Sequence, residues 1–432
     1  MIIYTVKKGD SIYKIAREFG TAAEQIVADN GLSEPSALVV GQTLVILQPL
    51  LTYRVRNGDT VYSVSRQFGI SVNQLYRNNP SLGGKPMLSV GQLLNIILPQ
   101  PIHEREIEVN GYVYPNVNRE TLLQTLPYLT YLTIFTYGIR EDGTLTDVDD
   151  EEIVSLARQN GVAPIMQISS LTERGTFSSA VAARLFSDEA LQDRVIEQMI
   201  EVLKAKNYAG VDVDFEYVEA QYADAYAVFL EKLHGRLAPL GCKLFVALAP
   251  KYSAEQEGLL YEGHDYAGLG GAADGVLLMT YEWGYTFGEP QAVSPVDKVR
   301  RVVEYGVSAI PSEKIFLGMP NYGYDWPLPY VAGKTRARSL SNTDAVALAK
   351  ERNAEIVFDG VAQAPSFHYF VREDGRPVEH VVWFEDARSV SAMLSLVDEY
   401  ALRGIAVWNL MRYFPQLFLV LNGMFRIRRG LQ

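Results

Sequence analysis

Gly210-Val211-Asp212-Val213-Asp214-Phe215-Glu216 is the stretch on which the fold reading turns. In an extended chain, side chains alternate between two faces. Asp212, Asp214 and Glu216 therefore share one face, and Val211, Val213 and Phe215 share the other. Neighbours at i and i+2 lie roughly 6.5–7 Å apart. Three acids this close, facing a partly dry interior, cannot all ionise cheaply, so at least one carboxyl should titrate high. Glu216, the outermost, is best placed to hand a proton to a substrate. The same alternation also fits a solvated acidic face on an edge strand, so the surroundings must decide.

Those surroundings repeat one unit. From residue 106 onward eight apolar strand candidates appear: Ile107–Tyr114, Leu129–Thr136, Val162–Ile168, Gly210–Glu216, Lys243–Ala249, Gly275–Tyr281, Lys314–Met319 and Gly404–Trp408. Helical segments separate most of them. One opens at Ser187-Asp188-Glu189 and carries Leu191, Val195, Ile196, Met199 and Ile200 on one face. Alternating strands and helices with near-continuous apolar strands indicate a parallel sheet, and eight such units a closed (β/α)₈ TIM barrel. The gap from Met319 to Gly404 is too long for one crossover. An inserted α+β subdomain over about 324–386 is expected there, walling the active-site face. Barrel catalytic groups come from the C-terminal ends of strands, which directs attention to the end of the fourth.

Before this barrel the chain repeats itself. Tyr4-Thr5-Val6-Lys7-Lys8-Gly9-Asp10-Ser11-Ile12-Tyr13 returns 49 positions on as Tyr53-Arg54-Val55-Arg56-Asn57-Gly58-Asp59-Thr60-Val61-Tyr62. Asn30 returns as Asn79, and Val40-Gly41-Gln42 returns as Val90-Gly91-Gln92 with one residue added. Each copy parses as a short strand, a Gly-Asp turn, two helices and a closing strand. A βααβ unit of this size has little core and suits a binding module. Pro99-Gln100-Pro101 marks the boundary, giving modules over 1–49 and 50–99 and a barrel over 103–432.

Composition bounds the rest. The chain has 432 residues, 48% hydrophobic and 21% charged, as in an ordinary globular protein. A formal charge of −12 argues against nucleic acid as a partner, and no apolar run reaches 18 residues, so no membrane span is expected. Residues 1–100 carry 9 basic and 6 acidic side chains, so the excess of acid belongs to the barrel. Five histidines without paired spacing make a metal site unexpected, and Cys242 reads as a small residue at a strand edge. Met1 to Val6 is too short for a signal-peptide core before Lys7 and Lys8, so no signal peptide is read.

The duplicated units resemble the LysM family, whose Gly-Asp-Thr/Ser and Val-Gly-Gln signatures both occur twice. That resemblance implies binding of glycans containing N-acetylglucosamine, with Gly9, Asp10, Ser11 and Asn30, and Gly58, Asp59, Thr60 and Asn79, as expected contacts. Two modules on one chain would raise affinity for a repeating polymer.

Ala209-Gly210-Val211-Asp212-Val213-Asp214-Phe215-Glu216 resembles the glycoside hydrolase family 18 signature, Asp-Gly-x-Asp-x-Asp-x-Glu. Met279-Thr280-Tyr281-Glu282 is similar to that family's Met-x-Tyr-Asp at the sixth strand, and Trp408 ends the eighth strand where the family has a tryptophan. The resemblance implies substrate-assisted retaining hydrolysis without cofactor or metal. Glu216 would be the general acid. Asp214 would steady the acetamido group, with Asp212 sharing its proton. Tyr281 would donate to the acetamido oxygen, and Trp408 would floor the pocket. Two departures stand out: Ala209 replaces the first Asp, and Glu282 replaces the last Asp and reaches about one bond further. Met279, Glu282, Asn321, Tyr322, Tyr112 and Phe135 are the expected substrate contacts. Tyr137, Trp283, Tyr285 and Trp326 also fall near strand ends.

Two LysM-like modules, the Met279–Tyr285 run and Trp383-Phe384-Glu385-Asp386-Ala387-Arg388-Ser389 together resemble the spore cortical-fragment lytic enzymes, which act as N-acetylglucosaminidases. The expected substrate is therefore peptidoglycan, in particular cortex fragments during germination. The expected location is the spore envelope or cell wall, and the expected state a monomer. A chitinase acting on chitin oligomers and a catalytically inactive wall-binding lectin are the alternatives.

Overall fold

Eight strands lie side by side in chain order: Glu106–Val113, Tyr131–Gly138, Ala163–Ser169, Gly210–Asp214, Lys243–Leu248, Gly275–Leu278, Ile315–Pro320 and Gly404–Trp408. All pairs are parallel, and the eighth strand pairs back to the first, Gly404 opposite Glu108 and Val407 opposite Gly111, closing the barrel. The computed structural model describes residues 1–432 except 33–37, 141, 172–177, 374 and 432.

Alternation sorts the apolar residues into two layers. Val211, Val213 and Phe215 point outward and pack with Tyr226, Phe229 and Leu230 of the helix Ala223–Leu237. Tyr112, Tyr131, Ile165, Phe245, Leu277 and Phe316 fill the interior. Cys242 precedes the fifth strand, half-buried against the outer layer. Among the described residues no helix is long and apolar enough to cross a membrane.

Two strands end earlier than the sequence pattern indicates. The fourth stops at Asp214 and the sixth at Leu278, so Glu216 and Tyr281 lie in the loops just beyond. Beyond Leu278 the Thr280 hydroxyl donates to Gly318 O (2.7 Å), and the Thr280 N–H turns back to Leu278 O (2.8 Å), which takes the chain out of the sheet. Alternation of side chains carries no information about where the ladder stops.

Between the seventh and eighth strands stands a five-stranded antiparallel sheet in the order Arg338–Leu340, Gly323–Pro327, Arg376–Trp383, Ala364–Glu373, Val357–Asp359, with the helix Asn342–Glu351 packed on it. Asp386, just after this sheet, caps the helix Ala387–Glu399 in a capping box with Ser389.

Each N-terminal module has two antiparallel strands, Ile2–Thr5 with Thr43–Ile46 and Leu51–Arg54 with Leu93–Ile97, plus two helices. The Gly-Asp turn is stapled from within. Asp10 accepts from Tyr4 Oη and Lys7 N–H (both 2.8 Å), and Asp59 accepts from Tyr53 Oη and Arg56 N–H (both 2.7 Å). Ser11 and Thr60 cap the helices that follow. Asn30 and Asn79 correct the sequence reading. Both are buried, and each amide bridges a helix carbonyl to the closing strand: Asn30 to Ile26 O and Val45, Asn79 to Leu75 O and Asn95. They brace the modules and present no free amide to a glycan. Gly9 and Gly58, at φ 88° and 89°, keep open space around them.

Both modules dock on the barrel. Gln416 Nε2 donates to Thr43 O (2.7 Å) while its Oε1 accepts from Thr43 Oγ1 (2.8 Å), and Val45 and Leu47 join the outer apolar layer. The Ile356 N–H donates to Val40 O (3.0 Å), and Arg388 Nη2 donates to Gly41 O (3.1 Å). In the second module Arg77 is buried, with Nε donating to Pro127 O (2.6 Å).

The duplicated Val-Gly-Gln turns thus differ in setting. A Cβ on Gly41 would lie 1.8 Å from Ile356 O, whereas one on Gly91 would meet nothing within 4 Å. Both glycines have φ 86°, so alanine costs about 1–2 kcal/mol of backbone strain at either site. Gly41→Ala should cost at least about 1 kcal/mol beyond Gly91→Ala, because it also pushes the first module off the insertion. Urea melts of the two variants check this, and equal losses would contradict the docking contact.

Candidate active site

The barrel's C-terminal end gathers the carboxylates. Asp212 and Asp214 sit on the inward face of the fourth strand, both buried. Asp212 Oδ2 accepts from Tyr112 Oη (2.7 Å), and Asp214 Oδ2 accepts from Gln167 Nε2 (2.9 Å) on the third strand, where Gln167 pairs with Asp212 in register. The remaining oxygen of each, Oδ1, has no partner among the described residues. Burial pushes the Asp212 carboxyl up to about 6 against the opposing bond from Tyr112. Asp214 is raised well above the carboxylate range, first by burial and then by the charges of Glu216 and Asp212. Both inward carboxyls therefore hold their protons more tightly than free carboxylates do.

Glu216 follows on the loop, half-buried, its carboxyl pushed up to about 7 by burial and then by the nearby Glu282 carboxylate. The loop is pinned by His264, which is fully buried. His264 Nδ1 accepts the Ala249 N–H (2.9 Å), so Nε2 carries the proton and donates to Phe215 O (3.0 Å). Burial lowers this imidazole to about 4, which keeps it neutral. Gln167 and His264 were not legible in the sequence, since neither lies in a motif and both act across strands.

Tyr281 hangs over the same space. Loss of hydration, then the charges of Asp214, Glu216, Glu282 and Asp212, hold its hydroxyl well above its ordinary value, so it remains a donor. Trp408 ends the eighth strand with three rings edge-on around it: Phe135 at 5.3 Å, Tyr112 at 5.7 Å and Tyr114 at 5.8 Å between centroids. It lines a cavity of about 250 Å³ with Glu282, Asn321, Tyr322, Tyr324 and Arg412. Glu282 accepts from the Tyr322 and Tyr324 hydroxyls.

Of the other expected contacts, Tyr112 is spent on Asp212 and Phe135 packs edge-on against Tyr114 and Trp408. Met279 packs against the interior layer. Trp283 donates to Tyr252 Oη (3.0 Å), and Tyr285 is 40% exposed. Tyr137 and Trp326 are wholly buried: Tyr137 lies in the outer layer and donates to Asp150, and Trp326 packs behind Tyr324, ring centroids 5.6 Å apart, and donates to Gly288 O (2.9 Å). A larger cavity, about 450 Å³, lies between the first module, the insertion and Gln416, apart from these carboxylates.

A raised acid beside two buried, raised carboxyls at the C-terminal end of a barrel, with an aromatic-lined cavity at the eighth strand, is the equipment of a glycosidase. Residues 108–412 match the glycosyl hydrolases family 18, and residues 4–47 and 53–96 match the LysM domain. The chain belongs to glycosyl hydrolases family 18 and carries two LysM domains. It is 42% identical to the cortical fragment-lytic enzyme of Bacillus subtilis (strain 168) over 99% of both chains. Among solved structures it is similar to the Bacillus megaterium QM B1551 spore cortex-lytic enzyme SleL, with TM-score 0.83 and 38% identity over 99% of this chain and 98% of that one. It is also similar to a chitinase from Chromobacterium violaceum, with TM-score 0.67 and 25% identity over 73% of this chain and 98% of that one.

Proposed function

We propose that the protein cleaves the glycosidic bond following N-acetylglucosamine in peptidoglycan, acting on spore cortex fragments at the spore envelope or wall. The observation that carries this is the gathering of Asp212 and Asp214 on the inward face of the fourth strand, Glu216 on the loop just beyond, and Tyr281 within reach of their charges. Glu216 protonates the glycosidic oxygen. The sugar's own acetamido carbonyl attacks the anomeric carbon and closes an oxazolinium ring. Asp214 accepts the acetamido N–H and balances the positive charge, while Asp212 takes up the shared proton. Tyr281 donates to the acetamido oxygen. Glu216, now a base, activates the water that opens the ring, and two inversions give net retention. The chain acts as a monomer, its LysM domains holding glycan that contains N-acetylglucosamine.

Digestion of cortex muropeptides followed by mass spectrometry tests the reading. New reducing N-acetylglucosamine ends are expected, and new reducing muramic ends would overturn it. A chitinase would instead turn over chitin oligomers at least as fast as peptidoglycan.

The pH profile follows from Glu216. An acid must enter the step protonated, and its carboxyl is raised to about 7. Activity should therefore fall on the alkaline side, kcat/KM dropping about tenfold per pH unit above roughly 7. A profile flat from pH 6 to 9 would contradict this.

A further inference from the structure

Arg412 stands apart among the charged groups of this end of the barrel. It lines the 250 Å³ cavity with Trp408, Tyr322 and Glu282, and it is exposed. Several arginines of the barrel and insertion hold a carboxylate, Arg403 with Glu108, Arg338 with Asp325, Arg388 with Asp386 and Arg428 with Glu106, and others such as Arg301 and Arg336 lie over aromatic rings. Arg412 has no such ion pair among the described residues, in a chain whose net charge is −12.

Its backbone is held in place. Asn321 Nδ2 donates to both Asn409 O (3.0 Å) and Arg412 O (2.8 Å), and the Met411 N–H donates to Asn409 Oδ1 (3.2 Å). The Tyr114 N–H meets Met411 Sδ at 3.3 Å, tying the loop to the first strand. Asn321 therefore fixes the loop and is a positioning residue. A guanidinium carried on a fixed backbone at a sugar cleft, without a carboxylate of its own, fits a carboxylate brought by the substrate.

The chemistry of the two candidate polymers differs at this point. Chitin carries no charge. Peptidoglycan places a 3-O-lactyl ether on every second sugar, ending in a carboxylate or in an amino acid whose carboxylate lies slightly further out. With N-acetylglucosamine over Trp408, both neighbouring sugars are muramic. We propose that Arg412 binds the carboxylate carried by the muramic residue next to the N-acetylglucosamine being cleaved, and so selects peptidoglycan over uncharged glycans. This rests on the peptidoglycan reading above.

The test compares parent, Arg412→Gln and Arg412→Lys on three oligosaccharides of equal length: alternating N-acetylglucosamine and muramic acid with free carboxylates, the same chain with those carboxylates converted to methylamides, and a chitin oligomer. The ratio of kcat/KM for the carboxylate substrate to that for its amide should fall roughly tenfold in Arg412→Gln, mainly through KM. Arg412→Lys should recover part of it, and added salt should lower the parent's ratio. A ratio unchanged in Arg412→Gln, or equal losses on all three substrates, would overturn the assignment. A parent that cleaves only the chitin oligomer would remove the peptidoglycan reading itself.

Discussion

Glu216→Gln is expected to lower kcat by on the order of 10²–10⁴ while leaving the fold and KM close to those of the parent. The amide keeps the size of the side chain and has no proton to give at neutral pH, so the leaving oxygen would depart as an unprotonated alkoxide. The substitution also removes a carboxyl raised to about 7 by burial and by Glu282. The folded state therefore loses a group that resists ionisation, and the variant should melt no lower than the parent. Steady-state rates on cortex muropeptides, with a thermal melt beside them, check both parts. Equal turnover by variant and parent would remove Glu216 from the chemistry and leave a wall-binding lectin as the better description.

Asp214→Asn is the second large effect, a loss of about 10²–10³ in kcat. Asp214 has one oxygen tied to Gln167 and one without a partner among the described residues, and in the proposed mechanism it is the carboxylate that balances a developing oxazolinium. An asparagine retains a hydrogen-bonding carbonyl but no charge, so substrate still binds and the transition state loses its counter-charge. The signature is a fall in kcat with KM little changed. A variant whose KM rises while kcat holds would place Asp214 in ground-state binding instead.

Much of this was legible in the chain. Alternation at Gly210–Asp214 put Asp212 and Asp214 on one side because strand geometry leaves no other arrangement, and the surrounding strand pattern made that side the interior, while Glu216 follows on the loop. The duplication announced both modules. Failures cluster where a side chain's partner is distant in sequence. Asn30 and Asn79 look like polar loop residues, yet each amide satisfies backbone groups of a strand 15 or 16 residues away. Tyr137 is in phase with the inward Tyr131, but a register shift after Ile134 turns it into the outer layer, and Trp326 shares the face of Tyr324 and is buried among its neighbours in the insertion. Gln167 and His264 serve the site through single bonds to Asp214 and to the Phe215 carbonyl. No local pattern marks a residue whose task is set by another strand.

The docking of the first module through Thr43, Gln416 and the Ile356 strand edge alters what carrying two glycan-holding modules means. Modules on a slack tether would deliver any oligosaccharide to the cleft, with a benefit that changes smoothly with length. Modules bolted to the barrel act as a calliper: a strand gains from them only once it spans the fixed distance from grip to blade. Long glycans are then trimmed with the help of that grip, and fragments below the span are left to the cleft alone.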